Sequence, residues 1–140
     1  MKAINVIDGS MVPLCIRAPI DAARRAYKFG GKIAFGADAA VFPHEDNAHE
    51  FELMLQADMP PMFILQTPTI NAAALLKREQ DLGSISPGKL ADVIAVIGNP
   101  LEKISIMNRV SFVMKEGSVY KKDGKAVNLE DIDDPVRSNR

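Results

Sequence analysis

The hydrophobic pattern changes once along the 140-residue chain, near Leu82, and this change limits the possible folds more than any other feature. Before it, apolar residues recur at the spacing of helices. After it, β-type apolar runs at residues 93–97, 110–114 and 118–120 are separated by turns. The sequence therefore predicts an α/β chain with antiparallel strands from residue 83 to residue 121.

Three dipeptides mark the turns of this second half. Pro87-Gly88 fits the centre of a type II turn, and Asp92 follows it into what we predict to be a buried strand. Glu116-Gly117 and Asp123-Gly124 are typical of tight hairpins. Two hairpin turns in succession predict strands that pair with their neighbours in the chain.

The first half begins with a predicted helix near residues 21–29, with Pro19 in its first turn and a glycine stop. Residues 11–16 form an apolar lead-in that could form a strand. The run at residues 32–35 predicts a buried strand, which opens into a loop of small residues around Asp38.

Further helices are predicted between this loop and Leu82. Asn47 and Glu50 have the spacing of a capping box, ahead of a helix that ends near Asp58. Residues 62–66 and 69–77 follow as two more helical segments, separated at a proline. The methionines, including Met54, Met59 and Met62, are interpreted as core residues.

Composition excludes several classes of partner. There are 17 basic and 18 acidic residues, so no positive surplus exists to bind nucleic acid or an anionic membrane surface. Cys15 is the only cysteine, which excludes an internal disulfide and favours a reducing compartment. We found neither a signal peptide nor a long apolar run, so a cytoplasmic location is expected.

Three stretches after Leu82 resemble one enzyme family. Residues 83–94, Gly-Ser-Ile-Ser-Pro-Gly-Lys-Leu-Ala-Asp-Val-Ile, stand ahead of Asn99-Pro100 and of the Val-Met-Lys-Glu-Gly sequence at 113–117. In order and spacing they closely resemble the closing β-region of the amidohydrolase superfamily. The Thr-Ile-Asn-Ala-Ala sequence at 69–73 matches the helix that precedes this region in the family.

Upstream residues support the same resemblance. Residues 33–38, Ile-Ala-Phe-Gly-Ala-Asp, are similar to the last barrel strand of these enzymes, which usually has Thr in place of Ala37. The Val-Phe-Pro-His sequence at 41–44 narrows the likeness to prolidase-like and imidazolonepropionase-like members. The resemblance covers residues 19–125.

The resemblance implies a C-terminal fragment of a TIM-barrel amidohydrolase. On that basis residues 1–18 are a lead-in of unclear origin and residues 19–82 are part of the barrel, with its last strand and helices. Residues 83–125 form the β-region, and residues 126–140 a polar tail that we expect to be mobile.

The resemblance also assigns candidate site residues. Asp38 would contact the metal and act on the nucleophilic water, whereas an isolated Asp among small residues more often caps a turn. His44, in the loop that rims the site, would face substrate or pack within the loop. His49 is interpreted as a solvated helix residue, and Asp46 and Asn47 as turn and cap residues.

A complete metal centre is not expected from this chain alone. The family uses zinc or another divalent metal, held by a His-x-His pair, a carboxylated lysine and two further histidines from earlier strands. None of those strands is in the sequence, so Asp38 could serve as a ligand only if another chain supplied the rest, and we expect no tightly bound metal.

Two functions remain open on sequence grounds. The chain could derive from a metal-dependent hydrolase that cleaves C–N bonds in dipeptide-like or cyclic amide substrates. It could instead be a binding module that pairs with another copy or a complementary chain. In either case the strand at residues 32–35 would lack its neighbours, and we expect it to drive self-association.

Overall fold

A computed structural model describes residues 14–36 and 44–128. The first part contains four α-helices: α1 at Leu14–Lys28, α2 at Glu50–Gln56, α3 at Pro61–Gln66 and α4 at Ile70–Leu75. A 3-10 helix at His44–His49 leads directly into α2. The helices predicted before Leu82 are therefore confirmed as helices, with changes at their ends.

The second part is a four-stranded antiparallel sheet in the order β1-β2-β3-β4. Its strands are β1 at Val93–Val96, β2 at Val110–Lys115, β3 at Ser118–Lys122 and β4 at Lys125–Ala126. A second 3-10 helix, Ile104–Asn108, connects β1 to β2. Each strand pairs with its neighbour in sequence, as the two hairpin signals predicted.

Backbone angles confirm the predicted turns. Both residues of each hairpin dipeptide have positive φ, namely 50° and 85° at Glu116-Gly117 and 50° and 77° at Asp123-Gly124. This is the pattern of a type I′ turn, whose twist matches that of the strands it joins. Gly88 has a φ of 86° and the Lys89 N–H donates to the Ser86 carbonyl at 3.2 Å, as a type II turn requires.

The core lies between the helices and the connection from β1 to β2. Helix α2, the turn after it, helix α3 and the second 3-10 helix contribute its buried members: Phe51, Met54, Ala57, Met59, Ile64, Ile104 and Met107. Met54 and Met59 are core residues as predicted, but Met62 is 53% exposed, so its assignment to the core was wrong. Met62 lies in the first turn of α3, two residues before the buried Ile64, and is therefore on the opposite, exposed face of that helix.

Helix α1 differs from the prediction at its start. It begins at Leu14 instead of near Asp21, so Pro19 lies inside the helix and the end of the apolar lead-in is helical, not strand-forming. Tyr27 on this helix packs against Phe63, with ring centroids 4.7 Å apart. Tertiary contact of this kind can hold a helix through a proline that local propensity would place at its start.

The predicted strand at residues 32–35 is not found, because residues 31–36 have no regular secondary structure. A strand exists only with a hydrogen-bonded neighbour, and the described residues provide no strand beside this segment. The mobile tail was predicted to begin at residue 126, which is too early. Lys125–Ala126 forms β4, and the Val127 N–H donates to the Tyr120 carbonyl at 2.9 Å. The tail from residue 129 onward lies outside the described residues.

Candidate functional site

The segment before Asp38 is fixed by two hydrogen bonds to the helical layer. The Phe35 N–H donates to the Thr67 carbonyl at 3.1 Å, and the Asn71 side-chain amide donates to the Ile33 carbonyl at 2.9 Å. These bonds replace the ladder that neighbouring strands would otherwise provide. Asn71 is the asparagine of the Thr-x-Asn-x-Ala pattern, so this helix motif has a direct structural role in positioning the segment.

Side-chain packing holds the same segment from the other direction. The rings of Phe35 and Phe51 stack with centroids 5.0 Å apart and an interplanar angle of 23°. Thr67, which is fully buried, donates its hydroxyl hydrogen to the Ile64 carbonyl at 2.7 Å and lies 3.6 Å from the Met54 sulfur. A satisfied buried hydroxyl of this kind fixes the backbone carbonyl that receives Phe35.

A groove of about 360 Å³ lies beside the far end of this segment. Its apolar walls come from α1, α2 and Met59, and Glu50 is the one ionisable side chain among the described residues that line it. Gly36, the last described residue before Asp38, is part of the lining. Apolar walls with one carboxylate fit the usual composition of a small ligand site.

Asp38 itself lies outside the described residues, as does Ala37, and for His44 only the backbone is described. The structure therefore fixes the segment that leads to Asp38 and the 3-10 helix that begins at His44. The distance between the side chains of Asp38 and His44 cannot be read from these two parts of the chain.

The predicted capping box at Asn47 is wrong. Residues His44–His49 wind as a 3-10 helix, so α2 begins at Glu50 with His49 at its N-cap, and no side chain caps the helix. The His49 side chain is 59% exposed, as its interpretation as a solvated residue predicted. Asn47 is instead half-buried, and its side-chain carbonyl oxygen has no hydrogen-bond partner among the described residues.

The family-like motif around Pro87-Gly88 has a structural function in this chain. The Lys89 ammonium donates to the carbonyls of Glu79 and Leu82 at 2.5 and 2.8 Å, which holds the turn against the end of the helical part. The Asp92 carboxylate accepts the Glu116 N–H at 2.8 Å, so it fixes the β2–β3 turn. The strand after Asp92 is not buried as predicted, since Ile94 is 53% exposed.

Sequence reasoning did not single out the contact between α1 and α2. Arg24 forms ion pairs with Asp21 and Asp58, and its guanidinium donates to the Gln56 carbonyl at 2.6 Å. An arginine near the carbonyl end of a helix is stabilised by the helix dipole. The local sequence did not predict this contact, because Arg24 and Gln56 are 32 residues apart in the chain.

Lys115, at the end of β2, has a shifted pKa. The hydrogen bond from the Lys115 ammonium to Glu116, at 3.1 Å, together with the charge of that carboxylate, raises the pKa of Lys115 above 10.5. This pair is on the solvent side of the β2–β3 hairpin. It belongs to the sheet and not to the region that leads to Asp38.

No cluster of three or more histidine, cysteine, aspartate or glutamate side chains that could hold a metal ion occurs within residues 14–36 and 44–128. A hydrolytic metal centre of the expected type needs three or more protein ligands. This part of the chain therefore does not fit a complete metal site. The same residues include no helix long and apolar enough to cross a membrane.

Known proteins resemble this chain over most of its length. It is 32% identical over 117 residues to the imidazolonepropionase of Symbiobacterium thermophilum, which covers 79% of this chain and 27% of that protein. It is 34% identical over 84 residues to adenine deaminase 4 of Rhizobium meliloti, which covers 60% of this chain and 13% of that protein.

Solved structures give a similar result. A Xaa-Pro dipeptidase with bound methionine in its active site is 49% identical, with a TM-score of 0.70, over 73% of this chain and 25% of that one. A putative prolidase from Bifidobacterium longum is 25% identical, with a TM-score of 0.69, over 79% of this chain and 28% of that one. The chain thus spans about a quarter of the length of these structures.

The resemblance inferred from the motifs is confirmed at the level of the family. The Amidohydrolase family model matches residues 2–125 and therefore includes both the helical part and the sheet. It also extends into the lead-in, for which the motif spacing gave no assignment. The chain belongs to the amidohydrolase family.

Proposed function

We propose that this chain contributes the segment that corresponds to the last barrel strand, together with the closing β-region, of a prolidase-like amidohydrolase, which hydrolyses an amide C–N bond in a dipeptide-like or cyclic amide substrate. The observation that carries the proposal is the 49% identity to a Xaa-Pro dipeptidase at a TM-score of 0.70. The imidazolonepropionase likeness supports the wider class of C–N bonds.

Asp38 is the proposed catalytic residue. It follows Gly36 by two positions, and the segment that ends at Gly36 is fixed by Asn71 and by the Thr67 carbonyl. We propose that the Asp38 carboxylate accepts a proton from the attacking water. His44 is proposed to face the substrate from the rim of the site.

Catalysis on this proposal requires residues from outside this chain. A divalent metal, zinc in the first instance, would activate water and polarise the scissile carbonyl. Residues 14–36 and 44–128 lack the ligands for it. We therefore propose that the rest of the barrel comes from a complementary chain, and that this chain alone binds no catalytic metal tightly.

A complementation experiment tests the proposal. The chain is mixed with a companion chain made from a prolidase-like relative that lacks its own last quarter, and release of proline from a Xaa-Pro dipeptide is measured. Activity should require both chains, and Asp38→Asn should reduce it by about 10²- to 10⁴-fold, the usual contribution of a general base. Asp46→Asn is the matched control, because Asp46 is an exposed acid in the 3-10 helix at His44–His49, and it should leave activity unchanged.

Metal analysis of the same samples separates the possible results. Zinc should be stoichiometric in the mixture and absent from the isolated chain after dialysis. Stoichiometric zinc in the isolated chain, lost in Asp38→Ala, would show that the chain completes a metal site by itself. An active mixture that tolerates Asp38→Asn would refute the assigned role.

A second candidate function is a non-catalytic binding module. The lack of a ligand cluster in residues 14–36 and 44–128 favours it, as does the β1 edge of the sheet, which has no neighbouring strand within the same residues. A stable assembly of the two chains without hydrolysis of any Xaa-Pro dipeptide or cyclic amide would support this function over the first.

A further inference from the structure

The two edges of the sheet differ in their chemistry. The β4 edge is two residues long and contains Lys125, while the adjoining β3 ends with Lys121 and Lys122. Short edges with lysine are protected against pairing with another strand. The β1 edge, Val93–Val96, has the sequence Val-Ile-Ala-Val, without a charge or a proline. It therefore lacks the charge and the proline that protect an edge.

Hydrogen bonds from β2 and from the β2–β3 turn indicate which backbone groups of β1 face β2, and therefore which face the open side. The Ala95 carbonyl accepts the Ser111 hydroxyl at 3.1 Å, and the Ala91 carbonyl accepts the Gly117 N–H at 3.2 Å. Successive residues of a strand direct their backbone groups to opposite sides. The N–H and carbonyl of Ile94, which lies between these residues, are therefore directed away from β2.

An apolar groove of about 380 Å³ borders this open edge. Ile94, 53% exposed, forms part of its lining, together with Leu76, Ile85 and Leu90, which are 62%, 87% and 41% exposed. Large apolar side chains exposed together mark an interaction surface more often than single ones do. Within the described residues, the edge thus combines backbone groups that have no strand beside them with apolar contacts for a strand that would pair with it.

We propose that β1 pairs antiparallel with β1 of a second copy of this chain, about a two-fold axis at Ile94. An uncharged strand can lie against itself without repulsion, whereas the lysine-rich β4 edge cannot. In this register Asp92 is opposite Val96 of the second copy, so the two Asp92 residues stand about 13 Å apart. The Asp92 carboxylate is moreover already bound to the Glu116 N–H.

This interface differs from the one expected from sequence. The run at residues 32–35 was predicted to pair, but it has no strand structure. The Ile33 carbonyl accepts a hydrogen bond from Asn71, and the Phe35 N–H donates to the Thr67 carbonyl, so both groups are bonded to the helical layer. The proposal does not depend on catalysis or on Asp38. Its test involves no substrate, so its failure and that of the proposed function are distinguishable.

Light scattering behind size-exclusion chromatography tests the proposal with the full chain, from about 1 µM to about 100 µM, the range in which small interfaces associate. The mass should rise from one chain to two. Ile94→Pro removes the outward N–H but none of the bonds to β2, and proline is tolerated on an edge strand. Ile94→Lys adds a protective charge without changing the backbone. Both variants should remain monomeric, with the circular dichroism of the wild type.

Phe29→Lys is the matched control, because it also replaces an exposed apolar residue with lysine but lies after α1, outside the sheet. It should dimerise like the wild type. A wild-type chain that stays monomeric at about 100 µM would overturn the proposal. A dimer that survives both Ile94 substitutions would also overturn it. So would a monomer whose Ile94 amide hydrogen exchanges slowly with solvent, because another segment of the chain would then cover the edge.

Discussion

Gly83 provides the sharpest test of how the family-like motif stabilises this chain. It lies at the junction of the helical part and the sheet, with a φ of +86°. A Cβ at this position would come within 2.8 Å of the Ala73 Cβ, 3.0 Å of the Thr69 carbonyl oxygen and 3.1 Å of the Ile70 Cα. Gly83→Ala therefore meets both an unfavourable backbone angle and backbone atoms of α4 that cannot move independently of the helix.

The expected loss of stability has two parts. The left-handed backbone conformation costs a residue with a Cβ about 1–2 kcal/mol. Overpacking against the buried Ala73 and the first turn of α4 costs about 1–3 kcal/mol more. The sum, about 2–5 kcal/mol, is a large share of the roughly 5–15 kcal/mol that stabilises an ordinary domain.

Gly88→Ala is the matched control for this measurement. Gly88 has the same φ of +86°, but no atom lies within 4 Å of the Cβ that it would gain. The control should therefore lose only the backbone part, about 1–2 kcal/mol. The free energy of unfolding of both variants is measured by urea titration with circular dichroism, with the slope m checked for constancy.

Equal losses in Gly83→Ala and Gly88→Ala would refute the packing argument, because only the first variant meets other atoms. A double-mutant cycle adds a second check. Ala73→Gly costs about 1 kcal/mol in a helix by itself, but it removes the nearest of the three contacts. Combined with Gly83→Ala it should cost less than the sum of the two single substitutions.

Two further predictions concern single hydrogen bonds. Asn71→Ala should lower the free energy of unfolding by about 1–2 kcal/mol, since the half-buried Ile33 carbonyl loses its donor, and an unchanged urea midpoint would show that water replaces the amide. Glu116→Gln should bring the pKa of Lys115 down toward 10.5, measured by NMR titration of the lysine side chain. Because the pKa of Lys115 is raised in the folded state, the stability that this pair contributes is complete below pH 10.5 and is lost as the pH rises through the folded-state pKa. A wild-type free energy of unfolding that stays constant across that pH range would contradict the pairing.

The local turn chemistry determined the second half of the fold from sequence alone. Glu116-Gly117 and Asp123-Gly124 adopt the positive φ angles of two-residue hairpins, and Pro87-Gly88 forms its type II turn. Such turns depend on the backbone conformations that a few adjacent residues can adopt, so the local sequence is sufficient to predict them. Their order and spacing were also sufficient to predict the family, which the match over residues 2–125 confirms.

The candidate site was predictable only through that family likeness. Nothing in the pattern around Asp38 distinguishes a ligand from a turn cap, because both are short carboxylates among small residues. The anchoring of the segment before it was not predictable either, since Asn71 and Ile33 are 38 residues apart and their bond exists only once α4 has packed.

Tertiary structure alone decided the elements that depend on partners far along the chain. The run at residues 32–35 has the composition of a buried strand, but strand structure needs a hydrogen-bonded neighbour, and its backbone bonds go to the helical layer instead. Helix α1 continues through Pro19, where local propensity alone predicted its first turn. Within the part of the chain that the structure describes, β1 is paired on one edge, and its exposure, like the open groove beside it, follows from which elements lie next to it and not from its own sequence.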